Sequence, residues 1–351
     1  MRATAKHAFV ATVVVVGVVA LALGLWKLRV LIALLFLAFI VAAAMRPSVD
    51  ALRQRYRIPR GAGILVHYAA LAGLLGLLLW LVVPRAIDQI QRATSSERLE
   101  NQARQTTGVK HDVLVGLQDR LEDLPSGAQL VDPALEVTLT AFEIFIGFFF
   151  VLAAAAYWIF ERDRAVDLVA SLIPRPRRRV LRDTWTLIDL KLGAYVRGQA
   201  LLIVGVATTL STIFWAIGLP FWLLIGAFAG VVEIVPVVGP LAAGALAVGV
   251  GLTESVAVGL AAGIAVLVVR LLEDYLVIPR VLGDAVGLSP LLVLTSVTGV
   301  ALLFGEFSVL LAIPIAAVIA TLVDVVVLEK DPAKEEVPTV IFAAKDAETA
   351  G

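Results

Sequence analysis

The sequence predicts an all-α, polytopic integral membrane protein of about eight spans, and three observations carry that reading. Of its 351 residues 60% are hydrophobic and the mean hydropathy is +0.95, well above a soluble domain, in which roughly half the residues are apolar. The apolar residues are gathered into runs such as Ala8–Leu25 and Val30–Ala44, not into the alternation of half-buried strands. Gly and Pro fall at many run ends, so helical hairpins and broken or re-entrant helices are expected in the C-terminal half.

A bilayer core about 30 Å thick is crossed by roughly 20 helical residues, and that ruler divides the chain. Residues 1–83 read as N-terminal membrane spans. Arg2 and Lys6 ahead of Ala8–Leu25 superficially resemble a secretory leader. The run is too long for a leader core, however, no small-x-small cleavage pattern closes it, and a second span follows at once. Only Trp26-Lys27-Leu28-Arg29 separates the two runs, which predicts a hairpin or a pair that does not fully cross. A basic loop, with Arg46, Arg53, Arg55, Arg57 and Arg60 against Asp50, leads to a third span at Ala62–Val83.

Residues 84–134 turn polar, with Ile87, Ile90, Leu99, Val109, Val113, Leu117 and Leu121 recurring as on amphipathic helices outside the lipid. Their apolar stripes need a place to bury, and an oligomerisation collar supplies one. Residues 135–160 form a fourth span. Residues 161–198 form a basic amphipathic segment with nine Arg or Lys against five acids, its helices broken at Pro174 and Pro176. Residues 199–327 make a C-terminal membrane core of apolar runs at Gln199–Gly218, Phe221–Val235, Val237–Leu252, Ser255–Leu272 and Pro290–Val327. The last is too long for one span, and Gly305-Glu306 marks the apex of a further hairpin. Residues 328–351 are a polar tail.

Lys and Arg near span ends are retained on the cytoplasmic side. This places Arg2, Lys6, the Arg46–Arg60 loop and the Arg162–Arg197 segment together, with both termini cytoplasmic and residues 84–134 external. Acids outnumber bases in that external region. Lys27 and Arg29 are exceptions that a shallow hairpin lets snorkel to the interface. Trp26, Trp80, Trp158, Trp215 and Trp222 lie mostly near span ends and read as interfacial anchors. The run Pro174–Arg179 matches anionic lipid better than nucleic acid at a membrane face.

Enzymatic chemistry finds no support. Cysteine is absent and the three histidines, His7, His67 and His111, are scattered, so neither a thiolate site nor an imidazole metal site is expected. No phosphate-binding loop, zincin helix or Gly-x-Ser-x-Gly elbow occurs. No cofactor is expected, and without a phosphate-binding loop direct ATP-driven pumping is not the expected activity.

Two charged stretches break the apolar core. The segment Gly230–Pro240 sets Glu233 beside Pro236, Gly239 and Pro240 within membrane-like sequence. Pro236 removes an amide donor, and Gly239 allows close backbone approach. Transporters build midplane sites from such discontinuous helices. Glu233 is either a proton- or cation-coupling acid or an acid hydrogen-bonded at the Pro turn. In the second stretch Arg270 lies three and four residues from Glu273 and Asp274, a spacing that pairs charges on one helix face, with Pro279 and Arg280 beyond. That cluster reads as a charged span end or as a contact for substrate or ion. Glu306, at the hairpin tip, is either solvated or brought to the pathway by re-entry.

Several of these motifs occur in a fixed order: Tyr195-Val196-Arg197-Gly198-Gln199, Val235-Pro236-Val237-Val238-Gly239-Pro240, Ile278-Pro279-Arg280-Val281-Leu282-Gly283, Val286-Gly287-Leu288-Ser289-Pro290, Leu303-Phe304-Gly305 and Ala312-Ile313-Pro314. The ordered set resembles the autoinducer-2 exporter-like permease family. The resemblance implies a bacterial inner-membrane secondary transporter, acting as a homo-oligomer among membrane lipids, with a small polar solute as substrate. Family members are associated with autoinducer-2 export and others with sodium or lithium exchange for protons. Val237 stands where an aromatic residue is common in the family, which leaves the substrate open. The leading expectation is a permease for a small polar solute, with a cation/proton antiporter second and a non-transporting scaffold as the reading from another class.

Overall fold

The computed structural model describes residues 2–94, 131–235, 238–278, 290–335 and 337, and every regular element among them is helical. In chain order these are α1 (Arg2–Lys27), α2 (Arg29–Tyr56), α3 (Arg60–Thr94), α4 (Val131–Ser171), α5 (Arg175–Ala216), α6 (Trp222–Val232), α7 (Val238–Glu254), α8 (Val256–Leu272), α9 (Pro290–Phe304) and α10 (Ala312–Val326). A π turn at Glu273–Val277 extends α8, and a 3-10 turn at Glu306–Leu311 precedes α10. Six helical stretches among the described residues are long and apolar enough to cross a membrane, and shorter apolar helices accompany them.

Burial is inverted relative to a water-soluble domain. Large side chains such as Phe142, Ile144, Phe145, Leu260 and Leu267 are exposed, whereas Ala38, Ala42, Ala155, Ala243, Ala247 and Ala262 are buried. Lipid solvates the large side chains, so little is gained by hiding them. Small residues inside let helix backbones approach and gain dispersion contacts.

The N-terminal half is organised on α2. One face sets Ala38, Ala42 and Val49 against Val151, Ala155 and Ile159 of α4 and Ile64 of α3. Its other face sets Ala33, Ile40 and Ala43 against Leu192 of α5 and Leu311. The Tyr68 hydroxyl donates to the Leu152 carbonyl, joining α3 to α4. Gly193 marks the crossing of α2 and α5: a Cβ there would sit 2.5 Å from the Ala43 carbonyl oxygen.

In the C-terminal half α5 to α8 share a core that includes Leu210, Phe214, Ile225, Ala243 and Ala262. The chain leaves α5 and enters α6 through Gly218 (φ 73°) and Phe221 (φ 57°). The α7–α8 turn is closed by Ser255, whose hydroxyl accepts from the Val258 amide at 3.1 Å and caps α8. Between α9 and α10 the chain turns at Gly305 (φ 90°), and the two helices pack together, the hairpin expected at that point.

Two expectations are refined. The α1–α2 junction is not a hairpin, because helical hydrogen bonds run through it from Leu28 N–H to Gly24 O and from Ile32 N–H to Leu28 O. The linker holds neither Gly nor Pro, and nothing in it forces a reversal. In the basic segment the break is confined to Leu172–Pro174, since α5 starts at Arg175. Pro176 occupies its first turn, where a missing amide donor leaves no bond unmade. The amphipathic pattern read within 84–134 lies, for residues 95–130, outside the described residues.

The α2–α5 crossing is testable. Gly193→Ala should lower the thermal midpoint in detergent, by the equivalent of about 1–3 kcal/mol for an overpacked contact. Gly76→Ala, where no atom lies within 4 Å of the new Cβ, should leave the midpoint near wild type. Equal midpoints for the two variants would contradict the crossing.

Candidate functional site

The two charged stretches meet where α6 ends and α8 gives way to its π turn. Glu233 caps the C-terminus of α6, its amide bonded to the Ala229 carbonyl. The chain then turns into α7, and the turn is tight. A Cβ on Gly239 would collide with the Val232 carbonyl, so only glycine fits between the two helix ends.

Arg270, in the last turn of α8, joins the stretches. Its Nη1 donates to Glu233 Oε1 at 2.6 Å, across from α8 to α6. Its Nη2 lies 2.8 Å from Asp274 Oδ1, and its Nε donates to Asp274 Oδ2 at 3.0 Å, a two-pronged contact. Glu273 is reached more weakly, at 3.5 Å from Nη1 to Oε2. From α5 the Gln199 side-chain amide donates to the Glu233 main-chain carbonyl at 3.4 Å.

Three carboxylates thus share one guanidinium. Glu233 and Glu273 are buried, at 8% and 4% exposure, and Glu273 Oε1 has no hydrogen-bond partner among the described residues. Around them Val206, Leu210, Ala243 and Val266 line a crevice of about 10 Å³, room for about one water. A carboxylate oxygen left unpaired beside apolar walls is costly, and it is relieved by a proton, a cation or a donor on a bound solute. The π turn carries Glu273 and Asp274, and turns of this kind are frequent at functional sites.

The sequence-selected residues are therefore partly assembled. Glu233, Arg270, Glu273 and Asp274 form one cluster, Gly239 begins α7 beside it, and Pro240 lines the crevice. Pro236, Pro279 and Arg280 lie outside the described residues, and of Glu306 only the backbone is described, opening the 3-10 turn. No group of three His, Asp or Glu side chains among the described residues is arranged to hold a metal ion.

A second buried ion network was not singled out from the sequence. Asp189 of α5 accepts from Arg162 Nε of α4 at 2.7 Å, and Arg46 of α2 approaches the same oxygen at 3.5 Å. Arg162 also donates to Thr186 at 3.1 Å. Arg46 and Arg60 flank Asp50, each at 3.5 Å. Asp189 stands between Ile188 and Leu190 in the sequence, and that apolar setting was the available signal. Trp158 departs from the anchor reading, since it stacks on Trp185 with centroids 6.0 Å apart and meets Phe39 edge-on at 5.4 Å.

Comparison with known proteins bears directly on these helices. Residues 15–328 match the family described as AI-2E family transporter. The chain is 27% identical over 284 residues to YrrI, a candidate transport protein of Bacillus subtilis (strain 168), covering 75% of this chain and 77% of that one. It is 26% identical to YueF of the same organism, over 83% of this chain and 84% of the relative. It is 26% identical to MT0215 of Mycobacterium tuberculosis (strain CDC 1551 / Oshkosh), over 90% and 89%. Both Bacillus and Mycobacterium proteins are named as candidate transport proteins, and the family consists of transporters, not enzymes. With the match spanning most of its length and its helices built to cross a bilayer, the chain belongs to the AI-2E family of multi-pass membrane transporters.

Proposed function

We propose that the chain is a secondary permease of the bacterial inner membrane for a small polar solute of the autoinducer-2 type, and that the Arg270 cluster is its solute-contact and coupling site. The supporting observation is the part-buried pairing of Arg270 with the buried Glu233 across two interrupted helices, beside a Glu273 oxygen that lacks a partner among the described residues. Solute hydroxyls donate to the spare carboxylate oxygens. As they do, Arg270 exchanges partners and the link between α6 and α8 opens. The break after Glu233 and the π turn after Leu272 supply the points of bending. Pro236, Gly239, Pro240, Pro279, Arg280 and Glu306 are, by their sequence positions, the further candidates for the path.

The segments Arg46–Arg60 and Arg162–Arg197 face the cytoplasm in this reading. The ion pair of Lys191 with Glu335, at 3.2 Å, supports a C-terminal tail on that same side. Residues 84–134 serve as the collar of a homo-oligomer. A sodium or lithium/proton antiporter is the second reading, favoured by the excess of carboxylates over guanidinium in the cluster.

Proteoliposomes separate the readings. Labelled candidate solutes should equilibrate faster with the protein than without it, and adding sodium or lithium should release no proton flux. Solute movement that is the same with and without protein across the panel would overturn the permease, and cation-triggered proton flux would establish the antiporter. Glu233→Gln should slow solute flux at least about tenfold, about 1.4 kcal/mol of barrier.

The ion pair itself is measured by a double-mutant cycle in thermal unfolding. Arg270→Gln alone leaves buried carboxylates uncompensated and should destabilise more than Arg270→Gln combined with Glu233→Gln, with a coupling of about 0.5–3 kcal/mol. Additive effects would contradict the pairing.

A further inference from the structure

The largest cavity among those described lies elsewhere, between α2, α4, α5 and α10, and it has a chemistry of its own. Its volume is about 560 Å³, within the range of sites that hold small molecules, and it opens to the surroundings on one side. Its walls are almost entirely carbon and include Phe36, Phe39, Trp158, Trp185, Ile188 and Leu322. Trp158 and Trp185 stack with planes 25° apart, and Phe39 stands edge-on to both. A small polar solute finds no set of partners there. An acyl chain does.

Two further observations specify the occupant. The lining offers a ligand no accessible donor, since Trp185 Nε1 is shielded and without a hydrogen-bond partner among the described residues and the Thr184 hydroxyl already donates to the Val180 carbonyl at 2.7 Å. The lining residues of α5, Leu181, Thr184, Trp185 and Ile188, recur at helical spacing on one face. Arg177 occupies that face one turn earlier. Among its neighbours Arg178 donates to the Ile173 and Ser171 carbonyls, Arg179 approaches Asp183 and Arg182 binds Asp167, while Arg175 falls on a different face of α5. Arg177 is exposed and has no ion pair among the described residues.

We infer that this cavity is a binding site for one anionic phospholipid, with an acyl chain among Phe39, Trp158 and Trp185 and the phosphate on Arg177. Charge favours this occupant over a second copy of the chain, because an exposed guanidinium lies on the cavity's face of α5, one turn beyond Leu181. The site takes no part in the solute path and does not depend on the permease reading.

The test is native mass spectrometry of the full chain extracted from vesicles of phosphatidylglycerol, of phosphatidylcholine, or of an equal mixture. Wild type should retain phosphatidylglycerol in clear preference from the mixture. Ala154→Trp, which fills the cavity from α4, should abolish retention. Arg177→Gln alters only an exposed position, so folding is preserved. It should reduce the preference for phosphatidylglycerol severalfold while a lipid is still retained. Equal retention of the two lipids by wild type, an unchanged preference in Arg177→Gln, or undiminished retention in a folded Ala154→Trp would each overturn the assignment. A change of oligomer mass in Ala154→Trp, with no lipid on wild type, would assign the cavity to a second copy instead.

Discussion

A charge placed among apolar helices must find its partner within the protein, and that constraint governs where the helices of this transporter meet. Arg270 satisfies it by reaching from α8 to Glu233 at the end of α6 while holding Asp274 on its own helix. Asp189 satisfies it by drawing Arg162 of α4 and Arg46 of α2 onto α5. Each network ties helices that are remote in sequence. Removing one member leaves an uncompensated charge, which costs far more than the pair itself contributes. The Arg270 cluster differs in being unbalanced, with three acids against one base.

Helix α5 connects the networks. Asp189 and Gln199 lie ten residues apart on it, about 15 Å along the axis, one in the N-terminal network and the other bonded to the Glu233 carbonyl. Its glycine and serine positions fix how neighbouring helices cross it. Gly193 admits the Ala43 carbonyl of α2, and Ser211 receives Gly226 of α6. Such crossings leave no slack for side chains, so α5 is held closely against both α2 and α6.

Much of the fold was legible in the sequence because lipid imposes long apolar runs. The hairpin at Gly305, the interruption near Glu233 and the pairing of Arg270 with Asp274 four residues on are local patterns, and each has a local cause. The cross-helix bond from Arg270 to Glu233 was not legible, since 37 residues separate the partners. The Asp189 network was hidden by its surroundings. In a segment of nine bases and five acids, nothing in composition tells a buried pair from a solvated one. Of the two readings of the α1–α2 junction the hairpin fails for the opposite reason: Trp26-Lys27-Leu28-Arg29 looks like a polar turn, yet all four residues are compatible with helix. Trp158 was assigned to the interface by position alone, whereas its partner Trp185 comes from another helix.

The central claim is that the crevice between α6, α7 and α8 opens to water during transport, and the absence of cysteine from the chain makes this directly measurable. Ala243 lies on α7, is buried, and lines the crevice beside Glu233 and Arg270. In Ala243→Cys, as the sole thiol of a reconstituted protein, a membrane-impermeant maleimide should react at a rate that changes when solute or an ion gradient is applied. A thiol that stays unreactive in the native protein under every such condition, and reacts only after unfolding, would show that the crevice is permanently packed and would contradict a pathway at Arg270.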